Sequence, residues 1–233
     1  MITLITSNSL YENLLNTSLK TIPDIPQAHV IVVADFAYKT DRKNIEIFKL
    51  DIKYNKSKFL NCGLAHIYKN RKNKWVLISD ADMVYDKFFW EQLKKIKAES
   101  IKNCYQFVIH RLDIKSTQAI QSEINNTNNI IGKYVGRTHA PRNPMMFNVD
   151  FIINNIGGYD ERFDGWGAED DDLISRIERS EGCFKRLNHI VYHLNHDDIT
   201  RVNKKYKSLA GQNLKLWSEN NKIKLKKISN SFM

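Results

Sequence analysis

Four consecutive carboxylates, Glu169-Asp170-Asp171-Asp172, follow Trp166-Gly167-Ala168 in this 233-residue chain. Adjacent anions repel one another, so the string needs a reason. A helix N-terminus is one, because its free N–H groups and dipole favour negative charge. A site that uses a carboxylate as a base is the other, and two more groups bear on that choice. Asp80-Ala81-Asp82 follows an apolar run. Alternate residues of an extended segment share a face, so both aspartates can turn to one cation, and hard ions such as Mg²⁺ or Mn²⁺ prefer such oxygen ligands. His193-Leu194-Asn195-His196 sets two imidazoles at i and i+3 beside Asp197-Asp198. Imidazole with carboxylate suits Mn²⁺ better than Mg²⁺, with His196 the preferred ligand and His193 the second. The bland readings are solvated aspartates at a strand exit and histidines packed in a core.

Alternating elements must carry these groups. Continuous apolar runs at 2–6, 29–34, 45–50, 75–78 and 105–109 read as strands. Helical spacing covers 10–19, 56–70 and 88–97, the second with Phe59, Leu60, Leu64 and Ile67 on one face. Such strands separated by helices predict a mostly parallel sheet covered on both faces. Ligands of parallel sheets bind beyond the carboxyl ends of the strands, where Thr6, Asn8, Asp35, Asp80 and Asp82 would converge. Asp35 at such a strand end is a candidate base contact for a nucleotide. Residues 113–142 form a polar insert rich in asparagine, followed by a strand at 145–149, a short helix at 151–156 and a turn at Gly157-Gly158-Tyr159-Asp160. A helix at 173–180 and a strand at 190–194 complete a single α/β domain spanning 1–200. Residues 201–233 read as a basic helical tail, packed on the domain or extending from it, with Lys215, Lys222, Lys224, Lys226 and Lys227 alternating with Leu214, Leu216, Trp217, Ile223, Leu225 and Ile228.

Composition narrows the partners. A hydrophobic fraction of 42% supports a substantial core, and a net charge of +10 favours an anionic partner. Nucleic acid is not expected, since no aromatic-basic RNA motif or helix-turn-helix pattern occurs. The basic tail suits peripheral contact with an anionic membrane. Three scattered cysteines and the absence of a leader-like N-terminus fit a cytoplasmic protein, at most peripheral on the inner face of the cell membrane.

The residues also carry a family likeness. Asp80-Ala81-Asp82 resembles the D-x-D motif of GT-A glycosyltransferases. The stretch from Gly157-Gly158-Tyr159-Asp160 through Gly165-Trp166-Gly167-Ala168 to Asp172 resembles the catalytic segment of beta-1,4-galactosyltransferases and bacterial chondroitin-type polymerases. Lys58-Phe59-Leu60-Asn61-Cys62-Gly63 is similar to their K-L-L-N-x-G helix. The resemblance implies a single GT-A (Rossmann-like) domain and an inverting hexosyltransferase that uses a UDP-sugar. It implies Mn²⁺, or Mg²⁺, held by Asp82 with His196, His193 and Asp80. Asp170 falls on the catalytic base. Lys58 and Asn61 join the donor-binding set, and Trp166, Gly167, Glu169 and Asp171 fall at the sugar and acceptor side, with Trp166 on a loop that closes over the donor. The acceptor expected is a hydroxyl of a glycan or a lipid-linked saccharide in bacterial surface polysaccharide synthesis. Two rivals are a sugar nucleotidyltransferase, for which no Gly-rich phosphate loop follows the first strand, and a non-catalytic sugar- or membrane-binding module.

Overall fold

The computed structural model describes residues 1–96, 99–122, 134–138, 143–165, 167–196 and 204–222. The first strand, β1 (Ile2–Ser7), pairs in parallel with β2 (His29–Ala34) on one side and β4 (Trp75–Asp80) on the other, and β3 (Ile45–Lys49) extends the same edge beyond β2. The sheet continues through β8 (Met145–Asn148), β6 (Asn103–Leu112) and β9 (Cys183–His193) to β5 (Met83–Val84), while β7 (Tyr134–Thr138) pairs with β6. Strands β1, β2, β3, β4, β6 and β9 run one way, and β5, β7 and β8 run against them, giving the mostly parallel sheet that the apolar runs imply.

Helices cover both faces because the strands are apolar on both. Ile2 and Leu4 of β1, with Ile31 and Val33 of β2, pack under Phe59, Leu60, Leu64 and Ile67 of α2 (Lys56–Asn70) and Leu173, Ile174 and Ile177 of α6 (Glu169–Arg179). Ile5, Val30, Val32 and Leu77 face the other way, onto Leu15 and Leu19 of α1 (Glu12–Lys20) and Phe89, Trp90 and Leu93 of α3 (Lys87–Leu93). This period-two division is what a doubly covered sheet requires. Gly63 lets α2 settle on β1, since a Cβ there would lie 2.3 Å from Leu4 Cδ1.

Among the described residues the remaining α-helices are α4 (Ile114–Ser122), α5 (Val149–Phe151, continued as a π-turn over Ile152–Ile156) and α7 (Lys204–Lys222). Part of the polar insert is therefore helical, while its Asn125–Asn129 segment lies outside the described residues. The last strand starts at Cys183, well before the expected 190, because it pairs in parallel along β6 from Asn103 onward. The acid-bearing helix starts at Glu169 and not at 173, so the four acids form its first turn. The basic tail is helical through Lys222, and its segment 223–233 lies outside the described residues. Among the described residues no helix is long and apolar enough to cross a membrane.

Candidate active site

The strand order β3-β2-β1-β4 reverses direction of growth at β1, and Thr6 near the end of β1 sits opposite Asp80 at the end of β4. Such a switch point leaves a crevice beyond the strand ends. Thr6 Oγ1 lies 3.1 Å from Tyr54 Oη, and Asp35 Oδ1 accepts the Ser9 N–H at 2.9 Å, tying the end of β2 to the loop after β1. Asn8 caps a short 3₁₀ turn, accepting from Leu10 N at 3.0 Å. These three residues meet at one rim, as the sequence implies.

Beyond Asp80 the chain turns into the two-residue strand β5, which pairs with Tyr192 and His193 of β9. Leu194 N donates to Asp82 O at 2.9 Å and fixes the juxtaposition. Asp82 Oδ2 then lies 3.3 Å from His193 Nε2 and 3.0 Å from His196 Nε2, and the ligand atoms of the three residues all fall within 4.8 Å of one another. The two imidazoles stack at 5.5 Å. His193 Nδ1 is 2.6 Å from the Leu194 carbonyl, which accepts from the ring. That tautomer leaves a lone pair on Nε2 facing a carboxylate, two acceptors that a proton or a cation must reconcile. Asp82 Oδ1 is buried without a hydrogen-bond partner. Burial opposes the Asp82 charge, but His193, His196 and Lys56 overcome it and hold the carboxyl below its ordinary range. An orphaned carboxylate oxygen beside two imidazoles fits a borderline divalent cation such as Mn²⁺.

Asp80, the other expected ligand, turns elsewhere. Its Oδ1 lies 3.0 Å from Lys56 Nζ and accepts from Asn143 Nδ2 at 3.3 Å. Lys56 Nζ also sits 3.1 Å from Glu169 Oε1 and 2.9 Å from Asp170 Oδ2. One ammonium thus joins the end of β4 to the start of α6. Burial works against its charge, while Asp170, Asp80 and Glu169 more than offset that and raise its pKa well above the ordinary value.

Asp170 keeps one oxygen on Lys56, and its other, Oδ1, is buried with no partner. Burial is the largest influence on this carboxyl; Lys56 opposes it, Glu169 and Asp80 reinforce it, and the pKa is pushed up to about 7. Crowding by Glu169 contributes, but desolvation leads. Tyr159 places a second buried, unpartnered polar atom, its Oη, in the same electrostatic neighbourhood. Glu169 Oε2 accepts from Gly167 N at 3.0 Å. Gly167 has φ of +103° and a Cβ there would meet nothing within 4 Å, so glycine is needed for conformation and not for room.

The four acids divide their work. Asp172 is fully buried, with Oδ2 2.7 Å from Arg176 Nε, and Arg176 Nη1 donates to the Gly158 and Ile156 carbonyls. It is the structural member of the string. Asp171 is half-buried on α6, and its carbonyl accepts from Ser175 Oγ at 2.8 Å. Trp166 lies outside the described residues.

Two residues of the expected donor-side set have other surroundings. Lys58 is exposed, and the lysine that reaches the site is Lys56. The signal was available, because residue 56 shares a helical stripe with Phe59, Leu60, Gly63 and Ile67, and residue 58 lies roughly 200° around. Asn61 is consumed by the fold: its amide donates to Tyr159 O and Glu161 Oε1, and its oxygen accepts from Tyr159 N, each at 2.9 Å. With Asn55, whose amide donates to Phe163 O at 2.9 Å, it sews α2 to the loop before α6 and so sets where Lys56 meets Asp170.

A family model described as the N-terminal domain of galactosyltransferase matches residues 143–197, which hold Asp170, His193 and His196. No curated protein sequence matches the chain. Among solved structures, S. aureus TarS 1-349 in complex with UDP-GlcNAc is similar with a TM-score of 0.67 at 12% identity, over 99% of this chain and 71% of that one. Another structure of S. aureus TarS 1-349 gives 0.65 at 11% identity, over 97% of this chain and 66% of that one. GalNAc-T7 with UDP, GalNAc and Mn²⁺ gives 0.65 at 13% identity, over 95% of this chain and 48% of that one. The chain therefore spans about two thirds of the TarS fragment and about half of GalNAc-T7. Sheet order, segment match and structural likeness agree: the chain has the GT-A glycosyltransferase fold.

Proposed function

We propose that this protein transfers a hexose or N-acetylhexosamine from a UDP-sugar to a hydroxyl of a glycan or lipid-linked acceptor, with inversion at the anomeric carbon. The observation that carries the reading is the bridge at Lys56, which ties Asp170 to Asp80 of the D-x-D through one ammonium. UDP-GlcNAc in one structural neighbour, and UDP with GalNAc in another, support the donor class.

The acceptor hydroxyl attacks the anomeric carbon, and its oxygen forms the new bond as the bond to the donor phosphate breaks. UDP departs with that electron pair, and the proton passes to Asp170 Oδ1, the oxygen without a partner. A carboxylate with a pKa of about 7 is half ionised at neutral pH and is a far stronger base than an exposed aspartate. Lys56 holds the other oxygen and so aims the first. A divalent cation held by Asp82, His193 and His196 would neutralise charge developing on the diphosphate. The rim formed by Thr6, Asn8 and Asp35 is assigned to the nucleoside, and Gly167, Glu169 and Asp171 to the sugar and acceptor side, with Trp166 as an apolar cover that excludes water.

The net charge of +10 suits an anionic acceptor or an acidic membrane leaflet, and we assign the protein to surface-polysaccharide assembly at the cytoplasmic face of a bacterial membrane. The deciding experiment is Mn²⁺-dependent UDP release across a panel of UDP-sugars with wild type and Asp170→Asn. Transfer lost in the variant while UDP binding persists supports the assignment; equal turnover by both removes Asp170 from the role.

A further inference from the structure

Helix α7 buries the wrong residues for an apolar contact. Asn213 and Asn220 are 4% and 8% exposed, whereas Leu214 is 58% exposed. Asn213, Trp217 and Asn220 stand at i, i+4 and i+7, one face of the helix. That face is aimed at the acid-bearing helix and the loop before it. Asn213 Nδ2 donates to Asp164 O at 2.9 Å, and Trp217 Nε1 donates to Ser175 Oγ at 3.4 Å. Asn220 Nδ2 donates to Asp172 Oδ1 at 2.8 Å and to Asp160 Oδ2 at 3.1 Å, while its oxygen accepts from Arg162 Nη2 at 2.8 Å. Every hydrogen-bonding group of this amide is engaged, and its partners flank Asp170 in sequence.

We infer that α7 is a brace for the active site and that Asn220 is a positioning residue for Asp170. Asp172 is gripped on one oxygen by Arg176 from within α6 and on the other by Asn220 from α7. Asp172 and Asp170 share the first turn of α6, so the grip on one sets the rotation of the other about the helix axis. A small rotation would carry Asp170 off Lys56 and its free oxygen off the acceptor. An amide can join two carboxylates and a guanidinium at once, which a leucine on this face cannot do. That explains why the helix spends its inward face on asparagines and leaves a leucine in water.

The effect on turnover rests on the transfer function proposed above; the brace itself does not. The test compares Asn220→Ala, Trp217→Phe and a control, Asn44→Ala, which removes two donations, to Pro23 O and to Ala28 O, at the far edge of the sheet. Asn220→Ala is expected to lower kcat by about tenfold or more, as small misplacements of a reacting group do, with UDP and Mn²⁺ affinities unchanged. Trp217→Phe keeps an aromatic ring but loses the Nε1 donor to Ser175, and should give a smaller loss of the same kind. Amide exchange over residues 170–175 should quicken in Asn220→Ala and not in Asn44→Ala at matched Tm. Wild-type kcat in both α7 variants, or exchange in α6 no faster than in the control, overturns the inference. Should the wild-type chain release UDP from no donor, the transfer reading fails, and the exchange comparison alone still decides the brace.

Discussion

Lys56 sets what Asp170 can do. Its charge lowers the Asp170 pKa against the larger effect of burial, so the value of about 7 is a compromise between them. Activity that needs ionised Asp170 should rise with pH and level off above that value, which a kcat/KM profile will read. Lys56→Gln removes the opposing charge, so the rise should move to higher pH. It also strands Glu169, Asp170 and Asp80 together, a loss of about 3–5 kcal/mol at pH 8 for a broken buried pair, and less at pH 5 where the carboxyls take up protons. Asp170→Asn should act in the opposite sense on stability. A carboxyl whose folded pKa of about 7 exceeds its ordinary 3.8 is destabilising when ionised. That penalty is complete above the folded value, shrinks as pH falls through it, and vanishes below the ordinary one. The asparagine variant should therefore melt higher than wild type at pH 8, by about 1 kcal/mol or more at ~1.4 kcal/mol per pKa unit. The gain should fade toward pH 4 in thermal melts, while transfer stays abolished throughout.

Elements that announce themselves locally were legible, and those made by distant pairing were not. The runs Ile-Thr-Leu-Ile-Thr-Ser and His-Val-Ile-Val-Val-Ala specify β1 and β2 by their apolar content alone, and Asn55 at the head of α2 caps it by accepting from Lys58 N at 2.9 Å. The strand β5 has two residues and no pattern, and it exists because β9 lies alongside it. Yet this pairing is what carries His193 to Asp82, so the metal-type cluster was readable as residue types and not as geometry. The same holds for α7, whose leucines and lysines read as an amphipathic stripe while its asparagines make the contacts. At α2, helical phase picks out Lys56 over Lys58 once the buried stripe is followed back to the first turn. Gly63 tests the packing of that helix. Its missing Cβ is the space occupied by Leu4, itself fully buried, so Gly63→Ala has little room to be accommodated. Overpacking should cost about 1–3 kcal/mol, read as a fall in Tm of about 2–4 °C per kcal/mol for a domain of this size. Because α2 carries Lys56, kcat should fall as well, in contrast to an equally destabilising change on the α3 side.

Across the whole molecule, the two chemical centres belong to different layers of the fold. Asp82, His193 and His196 come from the β4–β5 turn and the end of β9, whereas Asp170 stands on α6 and Lys56 on α2. Lys56 touches Asp80 and Asp170 directly and acts on Asp82 only through its field, so ligand binding at the first centre can be separated from base chemistry at the second. Linkage turns that separation into a measurement. A ligand at 100 times its Kd stabilises a fold by about 2.7 kcal/mol, a rise of about 5–10 °C at the per-kcal sensitivity of a domain this large. UDP with Mn²⁺ should raise the Tm of wild type and of Asp170→Asn by the same amount, since neither loses a donor or metal contact. Asp82→Ala should forfeit the Mn²⁺-dependent part, leaving only the rise given by UDP alone. An undiminished joint shift in Asp82→Ala would place the cation elsewhere, and loss of the shift in Asp170→Asn would mean that the two centres are not separable as the geometry of Lys56 requires.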